Sequence, residues 1–396
     1  MRIIRLSKKR EHAKNNRVKL VKGGAEFFQI LLQLINEATD TIHLQTYIFD
    51  NDETGRMVTE ALKTAAARNV KVYALADGFA SQALSKSLIV TLKGTGVNFR
   101  LFEPLFKSKA FYFGRRLHHK IAVIDAKFAL VGGINISNKY NDMPGSPPWL
   151  DFAILAEGDI ARQLCVLCRK TWKGFPPLQP KTKMASCKDN RDLFNFHEAE
   201  KGLVRMRRND WLKGKNEISR GYLRMLRQAS SRVTILSSYF LPGVNFRQSL
   251  KKAVKRGVVL KIIIAGKSDV LLSKSAERYW YDWLLRNKIE IYEYNKNILH
   301  GKLAVADGAM MTIGSFNVND LSTYASIELN LEVHQKEITL ETEKMLDGIM
   351  QRDCTRITQQ AFSHSRNIFT KFNQWISYQI VHTLFKLCSF HFGHQE

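Results

Sequence analysis

The chain has 396 residues, of which 61 are Lys or Arg and 36 are Asp or Glu, so its formal net charge is +25. This length favours two lobes over one small domain, and the charge favours a polyanionic partner, either nucleic acid or an anionic membrane. Five cysteines, an odd number in a long chain, exclude the disulfide framework of a small secreted protein, and no apolar run approaches the roughly 20 residues that cross a bilayer.

Strands and helices are predicted to alternate in the same order in both halves of the chain. In the first half, an alternating apolar segment from Ala38 ends at Tyr47, and a helical segment and a second strand follow. In the second half, the order starts again at Ala229 with a strand that ends at Tyr239, then a helix, a basic turn and a strand. Such alternation indicates an α/β fold with parallel strand pairing.

A third unit of sequence is also repeated. Residues 118–135 read HHKIAVIDAKFALVGGIN, and residues 300–317 read HGKLAVADGAMMTIGSFN. A single histidine near a strand has ordinary structural explanations, but a second copy at the equivalent place favours a site to which both halves contribute. The matching pairs are His118 and His300, Lys120 and Lys302, Asp125 and Asp307, Gly132 and Gly314, Gly133 and Ser315, and Asn135 and Asn317.

The residue types in these units suit chemistry on a phosphate. Residues two apart in a strand point to the same face, so each histidine projects together with the lysine of its own unit. Lysine and asparagine side chains would hold a phosphate, one imidazole would attack phosphorus, and the other would protonate the leaving alcohol. The lysines supply the positive charge, so no metal or other cofactor is expected. The aspartates end the apolar runs and are expected to anchor turns.

Each histidine needs an acidic partner to set its protonation state. Asp151 in WLDFAILAEG and Glu328 in ASIELNLEV lie downstream of the two units on strand-like segments. Glu332 is only four residues beyond Glu328, and the spacing alone does not distinguish the two glutamates.

The paired units resemble the HKD motifs of the phospholipase D superfamily. The resemblance covers about residues 17–350, and it is greatest to bacterial cardiolipin synthases of the short form without N-terminal transmembrane helices. YIFDND near Tyr47 and SSYFLPG near Tyr239 support it together with the motifs. The sequence departs from the family pattern after Asn317, where Val318-Asn319-Asp320 replaces the usual Leu-Asp-Pro.

The resemblance implies a phospholipase D fold of two tandem, similar α-β-α lobes with the active site at their interface. It implies phosphatidyl transfer between two phosphatidylglycerol molecules through a phosphohistidine, giving cardiolipin and glycerol. Family spacing favours Glu328 over Glu332. The near symmetry allows either histidine to attack, and we take His118 as nucleophile and His300 as acid and then base. The expected site comprises the catalytic motif residues His118, Lys120, Asp125, His300, Lys302 and Asp307, the phosphate-binding residues Asn135, Asn317 and Ser315, and the supporting acids Asp151 and Glu328.

Four regions are expected along the chain: a first lobe over 1–172, a connector over 173–208, a second lobe over 209–350 and an amphipathic helical tail over 351–396. Eight apolar residues of the tail fall on roughly one helical face, which fits a helix on anionic lipid. The same stripe would also suit packing against the second lobe. The eight are Ile368, Phe369, Phe372, Trp375, Ile376, Ile380, Leu384 and Leu387.

Other functions remain open beside phosphatidyl transfer to phosphatidylglycerol. They are a phospholipase D-type hydrolase, a metal-independent nuclease of the same superfamily, and a phosphatidyltransferase that uses phosphatidylethanolamine or serine. The two intact motifs disfavour an inactive lipid-binding scaffold, and the two-lobed chain and its tail argue against a nuclease. We therefore expect phosphatidylglycerol and an anionic membrane surface as partners, no nucleic acid, and a peripheral position on the cytoplasmic face of the cell membrane. The sequence specifies no oligomeric state.

Overall fold

The computed structural model describes residues 13–104, 115–172, 194, 196, 202–268, 270–319, 322–323, 326–364 and 367–390. Short apolar runs form the buried strands, and amphipathic segments form the helices between them, some of which begin at a capping side chain. The second helix, for example, begins where the side chain of Asp52 accepts a hydrogen bond from the backbone N–H of Gly55. The α/β class expected from the sequence is confirmed.

The first half of the chain contains β1 to β8 and α1 to α4. Their bounds are β1 (Ala13–Lys22), α1 (Ala25–Glu37), β2 (Thr41–Thr46), α2 (Glu53–Ala67), β3 (Lys71–Asp77), α3 (Lys86–Gly94), β4 (Asn98–Phe102), β5 (Arg116–Leu117), β6 (Lys120–Ile124), β7 (Phe128–Gly132), β8 (Phe152–Gly158) and α4 (Asp159–Thr171).

The second half repeats this order and adds helices at its end. Its elements are β9 (Gly202–Asp210), β10 (Lys215–Asn216), α5 (Glu217–Gln228), β11 (Arg232–Ser237), α6 (Val244–Lys255), β12 (Val259–Ala265), α7 (Leu271–Arg278), α8 (Tyr281–Arg286), β13 (Glu290–Tyr294), β14 (Lys302–Ala306), β15 (Met310–Gly314), β16 (Ser326–His334), α9 (Lys336–Asp353), β17 (Cys354–Ile357), α10 (Gln359–His364) and α11 (Ile368–Phe390). Among the described residues, no helix is both long enough and apolar enough to cross a bilayer.

The strands of the two halves pair in corresponding order. The strands pair in the order β4-β3-β2-β6-β7-β8-β1-β9-β16-β15-β14-β11-β12-β13-β17. Strands β2 to β4 are parallel neighbours, as are β11 to β13, and each set adjoins an antiparallel set. The order on one side of the β1–β9 pair therefore matches the order on the other side.

The hydrophobic core has a part in each half and a part that both halves share. Helices α1 and α2 cover the strands of the first half, and α5, α6 and α8 cover those of the second. A third cluster joins Val18, Phe152 and Ile154 of the first half to Val204 and Leu329 of the second. Because packed cores resist deformation, this shared cluster holds the two halves in one fixed arrangement.

Two of the expected region boundaries differ from the structure. Strand β9 begins at Gly202 and pairs with β1 and β16, so the last residues of the expected connector belong to the sheet. Helix α9 ends at Asp353, and strand β17 follows and pairs antiparallel with β13, so the expected tail begins with the end of a helix and a strand. Of the expected connector, 173–193, 195 and 197–201 lie outside the described residues.

The motif aspartates anchor the two equivalent hairpin turns. The carboxylate of Asp125 accepts hydrogen bonds from the backbone N–H groups of Thr39, Asp40 and Thr41, at 2.8 to 2.9 Å. Asp307 binds the backbone of residues 230–232 in the same way. Both aspartates have a positive φ, which Asp tolerates better than most residues. Each lies at the far end of a five-residue strand from its lysine, about 16 Å along the strand.

Candidate active site

The two motif histidines lie where one half of the chain pairs with the other. Strand β5 runs parallel to β16, with Leu117 opposite Ile327, and the backbone N–H of His118 donates to the carbonyl of Ile327 at 3.1 Å. In the second half, the backbone N–H of His300 donates to the carbonyl of Leu150 at 2.8 Å. Each histidine is therefore positioned by backbone at or just before the start of a strand of the opposite half.

Each histidine side chain also binds a carboxylate of the opposite half. His118 Nδ1 lies 2.9 Å from Glu328 Oε2, and His300 Nδ1 lies 2.6 Å from Asp151 Oδ2. Both carboxylates are fully buried, while the histidine side chains retain 17% and 11% of their exposure. An ionised carboxylate accepts a hydrogen bond from Nδ1–H, which leaves Nε2 of each neutral imidazole with its lone pair free.

The structure distinguishes the two glutamates that spacing within this sequence alone could not separate. Glu332 accepts hydrogen bonds from the guanidinium groups of Arg207 at 2.9 Å and Arg224 at 2.7 Å. His334 Nε2 lies 2.8 Å from its other oxygen. Burial disfavours ionisation of Glu332, but these partners outweigh it and hold its pKa far below the usual range. Glu332 thus belongs to a structural ion cluster, and Glu328 is the glutamate at the histidine.

Both motif histidines are held in the neutral form. Burial and the ammonium group of Lys302 lower the pKa of His300 to about 4, against the opposing effect of Asp151. Burial also lowers the pKa of His118, although Glu328 opposes the shift. A neutral imidazole is the form that attacks phosphorus, so either histidine is suited to be the nucleophile.

The two motif lysines bring positive charge to the same place. Lys120 Nζ donates to the backbone carbonyl of His118 at 2.6 Å, and Lys302 Nζ donates to the carbonyl of His300. Burial, and then repulsion from Lys302, lower the pKa of Lys120 to about 7. An anion between these two ammonium groups would relieve that repulsion, which makes the site suitable for a phosphate.

The two motif asparagines are buried beside the histidines, each with a fixed amide. Asn135 Nδ2 donates to the Tyr140 hydroxyl at 2.9 Å, and its Oδ1 accepts from the backbone N–H of Ile48 at 3.1 Å. Asn317 Oδ1 accepts from the Ser238 hydroxyl at 2.8 Å. These bonds orient both amides, and phosphate binding by them stays a prediction.

Ser315 contacts the carboxylate that holds His118. Its hydroxyl donates to Glu328 Oε2, and Ser326 donates to the other oxygen of Glu328 at 3.0 Å. The equivalent position in the first half is Gly133, where a Cβ atom would lie only 2.5 Å from a carboxylate oxygen of Asp151. The Gly-Gly and Gly-Ser difference between the motifs therefore follows from their different acids. The expected phosphate contact of Ser315 stays a prediction.

The second histidine of the first motif has a different environment. His119 Nε2 lies 2.8 Å from Gln45 Oε1, and Gln45 donates in turn to the backbone carbonyl of Cys168. Burial, with Lys120 nearby, lowers the pKa of His119 to about 3. His119 is thus a core residue of the first half. Of these two neighbouring histidines, it is His118 whose side chain contacts the other half.

Three aromatic side chains around the histidines had no specific signal in the sequence. The Tyr47 ring meets the His118 ring edge-on at 4.8 Å, and the Tyr140 ring meets the His300 ring edge-on at 5.0 Å. The Trp149 ring lies 5.9 Å from the His300 ring. The sequence identified Tyr47 as the end of a strand and as part of the YIFDND segment, but not as a neighbour of His118. These rings limit the motion of the imidazoles and exclude water from their sides.

Asp77 also went unnoticed in the sequence, and it supports the strand that carries His118. Its carboxylate accepts hydrogen bonds from the backbone N–H groups of Leu117 at 2.8 Å and Phe79 at 2.9 Å. The Arg116 guanidinium lies 3.6 Å away. Burial raises the pKa of Asp77 even though Arg116 opposes this. The only available signal was a charged residue at the end of an otherwise apolar strand.

The different environments of the two glutamates lead to a paired prediction. Glu328→Gln removes the negative charge that holds His118, so we expect turnover of a phosphodiester substrate to fall by about 10²-fold or more. Glu332→Gln breaks the arginine cluster and should lower the free energy of unfolding by roughly 3 kcal/mol. Steady-state kinetics and urea unfolding of both variants provide the measurement. Equal loss of turnover in the two variants, with both folded, would contradict the assignment.

Known proteins match this chain over most of its length. The family described as "Cardiolipin synthase, PLD-like domain" matches residues 31–144 and 222–350, which include both motifs. Cardiolipin synthase B of Escherichia coli K12 is 32% identical over 357 residues, covering 87% of this chain and 83% of that protein. The minor cardiolipin synthase of Bacillus subtilis is 26% identical and covers 88% of this chain and 85% of its own.

Solved structures show the same fold at low sequence identity. Phosphatidylserine synthase of Haemophilus influenzae superposes with a TM-score of 0.71 at 14% identity, over 94% of this chain and 95% of its own. Polyphosphate kinase of Porphyromonas gingivalis superposes with a TM-score of 0.60 at 15% identity, over 93% of this chain and 53% of its own. With its repeated motifs, reciprocal histidine–carboxylate pairs and matching relatives, the chain belongs to the cardiolipin synthase family of phospholipase D-like enzymes.

Proposed function

We propose that this protein is a cardiolipin synthase that transfers a phosphatidyl group from one phosphatidylglycerol molecule to the hydroxyl group of a second. The products are cardiolipin and glycerol. The observation that carries the proposal is the reciprocal pair of histidines, each bonded to a buried carboxylate of the other half and adjoining the two motif lysines. Relatives named as cardiolipin synthases, over most of the chain, support it.

In the first step, His118 Nε2 attacks the phosphorus of the donor lipid. A P–N bond forms, the P–O bond to glycerol breaks, and His300 gives its Nε2 proton to the departing glycerol oxygen. Lys120 and Lys302 stabilise the charge on the phosphoryl oxygens. The bound phosphodiester is itself an anion, so it raises the pKa of His300 and allows that residue to carry the proton.

In the second step, the hydroxyl group of the acceptor lipid replaces glycerol. His300, now neutral, takes the hydroxyl proton, the oxygen attacks phosphorus, and the P–N bond to His118 breaks. Glu328 and Asp151 stay ionised throughout, because burial of each is outweighed by the bond to its histidine, which keeps both pKa values low. Their charge stabilises whichever imidazole is positive at each stage.

Transfer to a lipid requires that water does not reach the phosphohistidine. The low exposure of both imidazoles and the rings of Tyr47, Tyr140 and Trp149 support this selectivity. The substrates lie in a bilayer and the chain has a net charge of +25, so we place the protein peripherally on an anionic membrane, on its cytoplasmic face.

The direct test is incubation of the purified chain with phosphatidylglycerol vesicles in the presence of a chelator. We expect cardiolipin and free glycerol in equal amounts, because the lysines supply the charge that a metal would otherwise provide. His118→Ala should abolish both products. Phosphatidic acid in place of cardiolipin would assign the chain as a hydrolase, and turnover only after phosphatidylethanolamine or serine is added would assign a different acceptor or donor.

The pKa of Lys120 predicts a pH dependence. With a pKa of about 7, this lysine loses its charge in the free enzyme as the pH rises through 7. Since phosphate binding needs the charged form, kcat/KM should fall by about tenfold per pH unit above that value. The measurement uses short-chain phosphatidylglycerol in detergent micelles, which avoids the surface potential of a vesicle.

Lys120→Arg is the matched variant, because a guanidinium stays protonated over this range. We expect a lower maximum and no decline just above pH 7. Lys71→Arg, on the exposed start of β3, should leave the wild-type profile unchanged. A decline near pH 7 that persists in Lys120→Arg would show that another group causes it.

A further inference from the structure

Helix α11 packs on the fold through a face of mixed polarity and leaves most of its apolar side chains exposed. Gln374 and Ser377 retain only 5% and 3% of their exposure, whereas Ile368, Phe369 and Phe372 retain 76%, 79% and 59%. A helix on the surface of a soluble domain normally does the opposite. The outer face of α11 consists of the exposed residues Ile368, Phe369, Phe372, Trp375, Ile376, Ile380 and Leu384.

The contacts that hold α11 explain why it cannot turn this face inward. The Tyr378 ring stacks on Tyr279 of the segment after α7 at 4.9 Å and meets Trp280 edge-on at 5.3 Å. Val381 packs with Leu241 and Ala276. These contacts occupy the inner side of the helix, so the sequence stripe that also suited packing on the second lobe is directed away from it.

The composition of the outer face fits a lipid surface. Aromatic and branched aliphatic side chains are those that insert at the boundary between headgroups and acyl chains. Helix α11 contains no Asp or Glu, and Lys371 lies exposed between Phe369 and Phe372. Positive charge next to exposed apolar groups complements an anionic bilayer. Two copies of the same face would instead bring like charges together.

Contacts within the second half place α11 near the active site. Leu241, which packs on Val381, donates its backbone N–H to the carbonyl of Val318 at 2.8 Å. Val318 follows Asn317, whose amide is held by Ser238. One short loop, 238–242, therefore contacts both the phosphate-site asparagine and the helix.

We propose that α11 lies in the plane of an anionic bilayer with its outer face inserted among the lipids, so that the chain is held with its active site beside the membrane surface. The functional purpose of this placement rests on the proposed lipid substrate. The insertion of the helix does not depend on that proposal. Because one loop contacts both α11 and Asn317, a bilayer that binds α11 has its lipid headgroups near the site. No movement of the two halves is needed.

The test compares binding of the full chain to vesicles of phosphatidylserine and phosphatidylcholine, which measures insertion without turnover. The double variant Phe369→Ser/Phe372→Ser should partition into these vesicles at least tenfold less than the wild type. Val90→Ser on α3, which removes another exposed apolar side chain (69% exposed), should bind normally. All three proteins should turn over short-chain phosphatidylglycerol in micelles equally, so failure of the proposed function would not affect the binding result.

A second readout measures the depth of insertion. Lipids brominated on the acyl chains should quench tryptophan fluorescence on binding, and Trp375→Phe should remove most of that quenching. Wild-type binding by the double variant, or quenching that survives Trp375→Phe, would overturn the proposal. If the wild type is a dimer in solution, the double variant is a monomer and vesicle binding is unchanged, the outer face contacts a second copy of the chain instead.

Discussion

The active site depends on the reciprocal exchange of carboxylates between the two halves of the chain. Asp151 and Glu328 are fully buried, and a buried carboxylate without a partner would cost several kcal/mol. Each finds its partner in a histidine that only the other half supplies. Folding of one half alone would leave its acid and its histidine without their partners. Assembly of the site and pairing of the two halves through β1, β9 and β16 therefore depend on each other.

The same exchange sets the electrostatics of the site. Burial makes both histidines neutral and weakens protonation of Lys120, while the lysines repel each other. The empty site is therefore electrostatically unfavourable, and a bound phosphodiester anion stabilises it by relieving the repulsion between the lysines. The small differences between the halves, such as Ser315 beside Glu328 and Gly133 beside Asp151, accommodate two acids of different length without changing this arrangement.

Much of this site could be predicted from the sequence because it is repeated. The second motif identified His118, Lys120 and their counterparts, and the strand–helix order identified the α/β class. Spacing within this sequence could not separate Glu328 from Glu332, because residues four apart in a strand share a face. Family spacing favoured Glu328, and the physical difference between the two arises from arginines on β9 and α5. Tyr140 and Asp77 gave no signal specific enough to identify them, since each acts through contacts with residues distant in sequence. The apolar stripe of α11 was visible, but only the packing of Tyr378 and Val381 shows which way it faces.

The most direct measurement is the identity of the residue that carries the phosphoryl group during turnover. A phosphatidyl substrate with an activated aryl leaving group needs no general acid, so rapid quenching and mass spectrometry of His300→Gln should find the adduct accumulated on His118. Covalent transfer through the reciprocal pairs predicts this result, and the adduct should be absent from His118→Ala. A label on His300 in the wild type would reverse the two roles, and no label on either histidine would contradict the covalent mechanism.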